Sequence, residues 1–332
     1  MGYHGRAARR LALVGLLAAA LLAVMASPSS ALVVTRGGKK LGIQPTTQFQ
    51  RAHHLFSESK PPLEYSGGPV MPETTVYVIF WDPAGVAPYA AGYTSGVDQY
   101  FTDLAHDSGL HTNVQSVSEQ YTDAEGHHAA YKVAFGGEIL DTDKLPKNKC
   151  SAAPICLDGA QLEKEVVKVV KRKKLQTDLK HIYFLLGGPG MENCFVARGT
   201  ECSANSSFSS YCAYHGFINT TKGPIVWAND PYVYEKNCDE AGRHPRETPG
   251  DAALLGGLSH EYNEALTDPE LNAWTGGGGE IGDECRTFEA NEFGAVLGFA
   301  PDGSPYNQVI NGNLYDYQQE WSNLGSECLQ HL

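Results

Sequence analysis

The chain has 332 residues, 42% of them hydrophobic and 19% charged, and its formal net charge is -13. That acidic balance repels nucleic acid and anionic lipid and favours cations, which argues against a nucleic-acid partner. A chain of about 300 residues buries one large core or two modest ones, and one compact domain with long insertions is the expectation.

The N-terminus comes first. Arg6, Arg9 and Arg10 precede a wholly apolar run over residues 11–26, followed by the small residues of Ser27 to Ala31. This reads as a cleaved export signal spanning 1–31, with Ser29 and Ala31 meeting the small-x-small rule and a cut after Ala26 as the alternative. The run is shorter than the roughly 20 apolar residues an anchor helix needs. Arg9 and Arg10 match a twin-arginine signal only in part. Removing the three arginines and no acids takes the formal charge from -13 to -16. No later segment has the length and apolarity of a membrane span, so no membrane partner is expected after cleavage.

All eight cysteines follow the signal: Cys150, Cys156, Cys194, Cys202, Cys212, Cys238, Cys285 and Cys328. An even count in an exported chain reads as four disulfides in an oxidising compartment. The short spacings Cys150 to Cys156 and Cys194 to Cys202 suit local loops, while the full pairing is not readable. The spacings contain no paired CxxC array for a zinc ribbon. Asn205 and Asn219 lie in glycosylation sequons.

In chain order, residues 32–73 lack periodicity and are rich in polar residues and proline, so they read as an extended, partly disordered arm. The folded part is expected over 74–332. Thr74 to Trp81 is a β-branched and aromatic run that predicts a buried strand. Residues 95–107 place Val97, Tyr100, Phe101 and Leu104 at helical spacing behind a Ser95 cap. Residues 129–135 predict a strand. Residues 159–175 predict a helix whose run Lys171 to Lys174 is a solvated, dipole-compatible end. A strand follows in "HIYFLLGGPG", and 191–222 reads as a cysteine-stapled loop. "GPIVWAND", 223–230, predicts another strand, and 250–266 a helix capped by Asp251. The final stretch alternates like antiparallel strands, with a turn at Asn311 and Gly312. Together these elements predict a three-layer α/β fold around a mixed sheet, with an antiparallel C-terminal extension and disulfide staples.

The chemistry concentrates in "LSHEYNEALTDPELNAWTGGGGEIGDEC", residues 258–285. Leu254, Leu255, Leu258, Tyr262, Ala265 and Leu266 share one side of the helix, with His260 and Glu264 nearly opposite. Four residues of separation bring those two within about 6 Å at Cβ, so both can face one ion. HExxH zinc peptidases use this geometry, with the intervening glutamate as general base toward ion-bound water. Here Glu264 replaces the second histidine, and Glu261 is the candidate catalytic base. A carboxylate is an acceptable zinc ligand, although it makes the ion a weaker Lewis acid. Glu280 is the first candidate for the third ligand and Asp283 the second, each also able to act as acceptor for the His260 N–H. The glycine run Gly276 to Gly279 lets the chain reverse and bring them back. Glu270 has a possible spacing but the wrong exit, at Thr267 and Pro269. The opposing reading is that acids opposite an apolar stripe are simply the wet side of a surface helix. His215 and His244 are spare: His215, in "CAYHG", reads as an exposed or structurally hydrogen-bonded loop histidine, the alternative being a role in binding substrate or stabilising an oxyanion.

The same string resembles the signature of the EXORDIUM or phosphate-induced protein family of secreted, wall-associated proteins, through His260, Glu261, Glu264, Thr267, Asp268, Pro269, Asn272, Ala273, Trp274, Glu280, Ile281, Gly282, Asp283 and Cys285. "GGPVMPETTVYVIFW", 67–81, is similar to that family's opening strand. The resemblance implies a single extracellular α/β domain over 74–332 with a zincin-like motif, and supplies no established reaction. Tyr262 and Asn263 in the motif's variable pair, and the bare glycine run, depart from the family pattern.

The expected function is a secreted, zinc-dependent hydrolase of metallopeptidase type. Its metal ligands are His260, Glu264 and Glu280 or Asp283, and an extended peptide would pair along 223–230. The alternative is a noncatalytic wall or matrix protein with a structural ion. Zinc is favoured over calcium because imidazole suits it better. A third reading is an inactive relative of peptidases that binds peptide or wall glycan. The partner is accordingly a peptide or a cell-wall or matrix component, and nothing in the sequence sets the oligomeric state.

Overall fold

The computed structural model describes residues 33–46, 48–50, 62–83, 86–199, 201–203, 209–232, 238, 242–286 and 292–332. The expected signal, 1–31, and the Asn205 sequon lie outside the described residues.

The first strands fall where an arm was expected. β1 (Val33–Arg36) and β2 (Lys39–Pro45) form a hairpin, and β2 pairs antiparallel with a later strand of the main sheet. The sequence misses them because β2 is buried from Leu41 onward, Gly42 and Gln44 included, so no polar alternation marks it. β3 (Glu64–Tyr65) is a short pairing element. β4 (Thr74–Trp81) lies one strand in from the edge strand of the main sheet and alternates between two cores. Val76, Val78 and Phe80 face one core, and Ile79 and Trp81 the other. Being covered on both faces is why it reads as a continuous apolar run.

Helix α1 (Tyr93–His106) starts two residues before the Ser95 expected to cap it, because Gly92 takes the left-handed cap position at φ 87°. β5 (Val133–Asp141) begins later than expected and continues through Gly136 and Gly137. The glycines form an irregularity in the ladder rather than a stop: the register shifts opposite Val76 and Tyr77, and a Cβ on Gly136 would lie 2.5 Å from the Tyr77 ring. β6 (Ile155–Asp158) leads into α2 (Gly159–Lys173), where Asp158 and Gln161 make a capping box. Lys171 to Lys174 are exposed at its end, as expected.

β7 (His181–Gly187), β8 (Met191–Cys194), β9 (Cys202–Ser203), β10 (Ser209–Thr220) and β11 (Gly223–Asp230) follow. The segment 191–222, expected to be a stapled loop, therefore supplies three strands. The sheet runs β5-β4-β7-β11-β10-β9-β8-β6, with β2 also on β10. β4, β5, β7 and β11 are parallel, and β10 is antiparallel to β11 and β2. β11 is an interior strand, so the expected peptide pairing along it is excluded: its backbone groups are already used by β7 and β10.

α3 (Gly250–Ala253), a π-helical turn (Leu254–Leu258) and α4 (Ser259–Thr267) form one kinked rod on the face opposite α2. Asp251 does not cap it. Its carboxylate sits inside the first turn and accepts from Arg246 Nε at 2.7 Å. The rod approaches β10 closely at Gly257, where a Cβ would lie 2.2 Å from Ala213 Cβ. β12 (Trp274–Thr275) pairs with β3. The C-terminal part is three two-stranded ribbons, β13 (Gly298–Phe299) with β14 (Pro305–Tyr306), β15 (Gln308–Ile310) with β16 (Asn313–Tyr315), and β17 (Glu320–Ser322) with β18 (Glu327–Leu329). Asn311 and Gly312, at φ 49° and 78°, make the tight turn expected from the sequence.

The protein is thus a mixed α/β fold with a large mixed sheet and an antiparallel C-terminal part. Four disulfides, Cys150–Cys156, Cys194–Cys202, Cys212–Cys238 and Cys285–Cys328, use every cysteine. Among the described residues no helix is long and apolar enough to cross a membrane. Cys285–Cys328 closes a separation of 43 residues. By loop-closure entropy, replacing both cysteines by serine is expected to lower unfolding free energy by about 4 kcal/mol. Urea denaturation of the double variant against wild type measures it.

Candidate metal centre

Every residue of α4 is buried, the charged side as well as the apolar one. A surface helix would leave the acids opposite the leucine stripe in water. Here His260 is 1% exposed, and Glu261 and Glu264 are 0% exposed. The chamber around them is closed by β10, by the loop after the glycine run, and by the segment entering β17.

From α4, Glu264 Oε1 lies 2.9 Å from His260 Nε2, the i,i+4 meeting the spacing calls for. From the loop, Asp283 Oδ1 lies 3.6 Å from the same nitrogen. Gly276 to Gly279 fold back, with Gly276 N donating to Gly279 O and Gly278 N to Glu284 Oε1. Asp283 is fixed by its other oxygen, which accepts from Glu280 N at 3.1 Å. Cys285 ties this loop to the C-terminal ribbon. Of the two acids considered as third partner for His260, the second choice, Asp283, is the one beside the ring.

Glu280 instead faces a residue read from the sequence as a loop histidine outside the site. His215 is on β10 and 0% exposed. Its Nε2 is 3.6 Å from Glu280 Oε1, and its Nδ1 lies 3.1 Å from Glu261 Oε2 and 3.6 Å from Glu264 Oε2. Glu261, expected as a free base, is turned toward this ring. Gly42 on β2 makes the room: a Cβ there would lie 2.2 Å from both His215 Cε1 and Glu280 Oε2. Nothing local in "CAYHG" announces this placement, which needs β2, β10 and α4 together. His244 lines a separate surface depression with Thr248 and Asp302, and Glu270 belongs to none of the clusters.

Two further groups orient the rings. Gln318 Oε1 is 3.2 Å from His260 Nδ1, and Gln318 Nε2 donates to Gly282 O. The carbonyl of Asp268 is 3.4 Å from His215 Nε2. Asp268 is itself pinned, its Oδ1 accepting from Asn272 N and Ala273 N at 2.6 Å each. The "TDPELNA" stretch thus forms the turn that presents this carbonyl. With a cation bound, a proton on His260 Nδ1 and on His215 Nε2 would leave the lone pair of the other nitrogen for the ion.

Apart from His215 Nδ1 and Glu261 Oε2, which meet at 3.1 Å, the atoms facing inward lack hydrogen-bond partners. His260 Nε2, Glu261 Oε1, both oxygens of Glu264, both of Glu280, and Asp283 Oδ1 are all buried without one. Close approach without hydrogen-bond geometry is what a metal ion's donor atoms show before the ion is bound. His260, Glu264 and Asp283 form one three-donor group, and His215, Glu261 and Glu264 another, with all donor atoms in each within 4.8 Å of one another. Two other groupings are already satisfied. Asp141, Asp143 and Glu165 hold Lys168 and Arg172, and the grouped cysteines are in disulfides.

Without an ion, protons compensate the charge. Burial pushes Asp283 up to about 8, with Glu264 adding to it, and pushes Glu280 well above the carboxylate range. Burial also raises Glu261. Burial opposes a charge on either imidazole, but Glu264 beside His260, and Glu280 and Glu261 around His215, raise both rings well above their ordinary value. Glu264 also feels burial, yet the two histidines hold it below its usual range. Two further acids went unnoticed in the sequence. Asp230, at the end of β11, has both oxygens unpartnered, and Glu320 accepts from Asn263 Nδ2 at 3.0 Å.

No family model matches this sequence, and neither a curated protein nor a solved structure matches it.

A bound cation has to displace these protons. A raised carboxylate favours the ion-free fold below its unfolded value near 4, and that contribution is lost as pH rises through about 8 for Asp283. The Tm gain on adding zinc to chelator-treated protein is therefore expected to be small near pH 5 and largest near pH 8. Calorimetric titrations in buffers of different ionisation enthalpy should register proton release; a gain independent of pH contradicts it.

Proposed function

We propose that the protein is an exported metal-dependent hydrolase, with zinc held by His260, Glu264 and Asp283 at a zincin-like helix. The observation that carries the reading is the convergence of unpartnered, buried donor atoms on one point between α4 and the 280–285 loop. One imidazole and two carboxylates suit zinc better than calcium, which takes six to eight oxygens. A zinc ion in this setting supplies Lewis acidity to a carbonyl and lowers the pKa of a bound water. The chain's own part is to aim His260 through Gln318, to exclude bulk water, and to accept a proton at Glu261 or Glu280. The π-helical turn before His260 fits a functional site, since such turns cluster there. The substrate class is a peptide or a wall or matrix component, and not one that pairs along β11. The leader expected at 1–31 and the four disulfides support an extracellular location.

A second reading, a structural ion in a noncatalytic extracellular protein, is favoured by one observation: His260, Glu264 and Asp283 are at most 4% exposed. Elemental analysis of purified protein is expected to show zinc, lost in His260→Ala and reduced at least about tenfold in affinity in Asp283→Asn. Hydrolysis of a peptide and ester panel should vanish with chelator and return with zinc. Zinc-loaded protein that cleaves nothing in the panel, yet loses thermal stability on chelation, supports the structural reading instead.

A further inference from the structure

We propose that the chamber is a two-ion centre in which Glu264 bridges a second divalent cation, held by His215 and Glu261, to the one at His260. This rests on the reading of His260, Glu264 and Asp283 as the first ion's ligands.

The two donor groups share one residue. Glu264 directs Oε1 to His260 Nε2 at 2.9 Å and Oε2 toward His215 Nδ1 at 3.6 Å, so its two oxygens serve different histidines. A carboxylate used in this way sets two ions about 3.5–4 Å apart, the spacing of two-metal hydrolytic sites. The two halves are built alike. Each has one imidazole, one private carboxylate (Asp283 or Glu261) and one oxygen of Glu264. Each ring also has an acceptor on its outward nitrogen, Gln318 Oε1 at 3.2 Å and the Asp268 carbonyl at 3.4 Å. With ions bound, that pairing would hold each ring with the lone pair of its other nitrogen toward the acids.

Charge points to more than one ion. Glu261, Glu264, Glu280 and Asp283 carry four negative charges when ionised, and among the described residues no lysine or arginine ion-pairs with them. One divalent ion leaves two charges uncompensated in a chamber where all four acids are at most 4% exposed. Two divalent ions cover these four, while Asp230, Asp268 and Glu320, buried beside them, add negative charge when ionised. Glycine is required on both sides: a Cβ on Gly42 would lie 2.2 Å from His215 Cε1, and one on Gly282 would lie 2.6 Å from His260 Nδ1. The arrangement makes Glu261 a ligand and leaves Glu280, 3.6 Å from His215 Nε2, as the acid free to take a proton.

The test counts ions and asks whether they are coupled. Native mass spectrometry of folded, disulfide-intact protein titrated with zinc is expected to give two ions per chain in wild type. It should give one in His215→Asn and in Glu261→Gln, and at most one in His260→Ala. Manganese-loaded wild type should show an exchange-coupled electron paramagnetic resonance spectrum, and His215→Asn the uncoupled six-line pattern. One ion in wild type that persists in His215→Asn and Glu261→Gln but is lost in His260→Ala overturns the bridge and leaves the single-ion hydrolase standing. No ion in wild type, or a single ion lost with His215 and kept without His260, overturns both. Should the variants fail to fold, the wild-type manganese spectrum decides alone: coupled supports the bridge, uncoupled overturns it.

Discussion

Four carboxylates and two imidazoles are packed together in the interior, and among the described residues no lysine or arginine ion-pairs with them. Removing one such charge from water costs several kcal/mol even after relaxation, so the cluster exists only if cations or protons fill it. That constraint organises the surrounding structure. It explains why burial holds Asp283 and Glu280 protonated when no ion is present, and why each ring also meets a neutral acceptor, Gln318 Oε1 for His260 and the Asp268 carbonyl for His215.

The fold converges on this point from four directions. The π-helical turn and Gly257 let α4 lie close against β10, bringing His260, Glu261 and Glu264 to His215. Gly42 on β2 leaves room beneath the ring. The glycine run and the 3-10 turn Asp283–Cys285 return two acids, and the segment carrying Gln318 into β17 closes the far side, with Trp321 N donating to Ile281 O. Two disulfides flank the chamber, Cys212 three residues before His215 and Cys285 two after Asp283. Cross-links beside a site of concentrated like charge limit the displacement that repulsion would drive.

The polar residues around the chamber have positioning tasks. Asp268 folds the turn after α4 by accepting from two backbone N–H groups, and the carbonyl so presented meets His215. Trp274 packs against Tyr65 at 5.2 Å and against Tyr121 at 5.2 Å, anchoring the strand that opens the glycine run. Asn263 links the helix to Glu320, and Tyr262 meets Thr74 Oγ1 at 2.6 Å. These contacts give the long motif a structural reason that its five-residue kernel lacks.

What depends on neighbours in the chain was legible in the sequence. β4, α2, β7, the turn at Asn311 and Gly312, and the two local disulfides follow from periodicity, capping and spacing. The meeting of His260 with Glu264 follows from helical geometry alone. What depends on strands far apart in sequence was decided only by tertiary structure. β2 and β10 are buried on both faces and so show no alternation, β11 became an interior strand, and His215 was carried from an apparent loop to the centre of the acid cluster. Spacing fixes which side chains share a helix face. Only sheet pairing and the path of the glycine run fix which charge each of them meets.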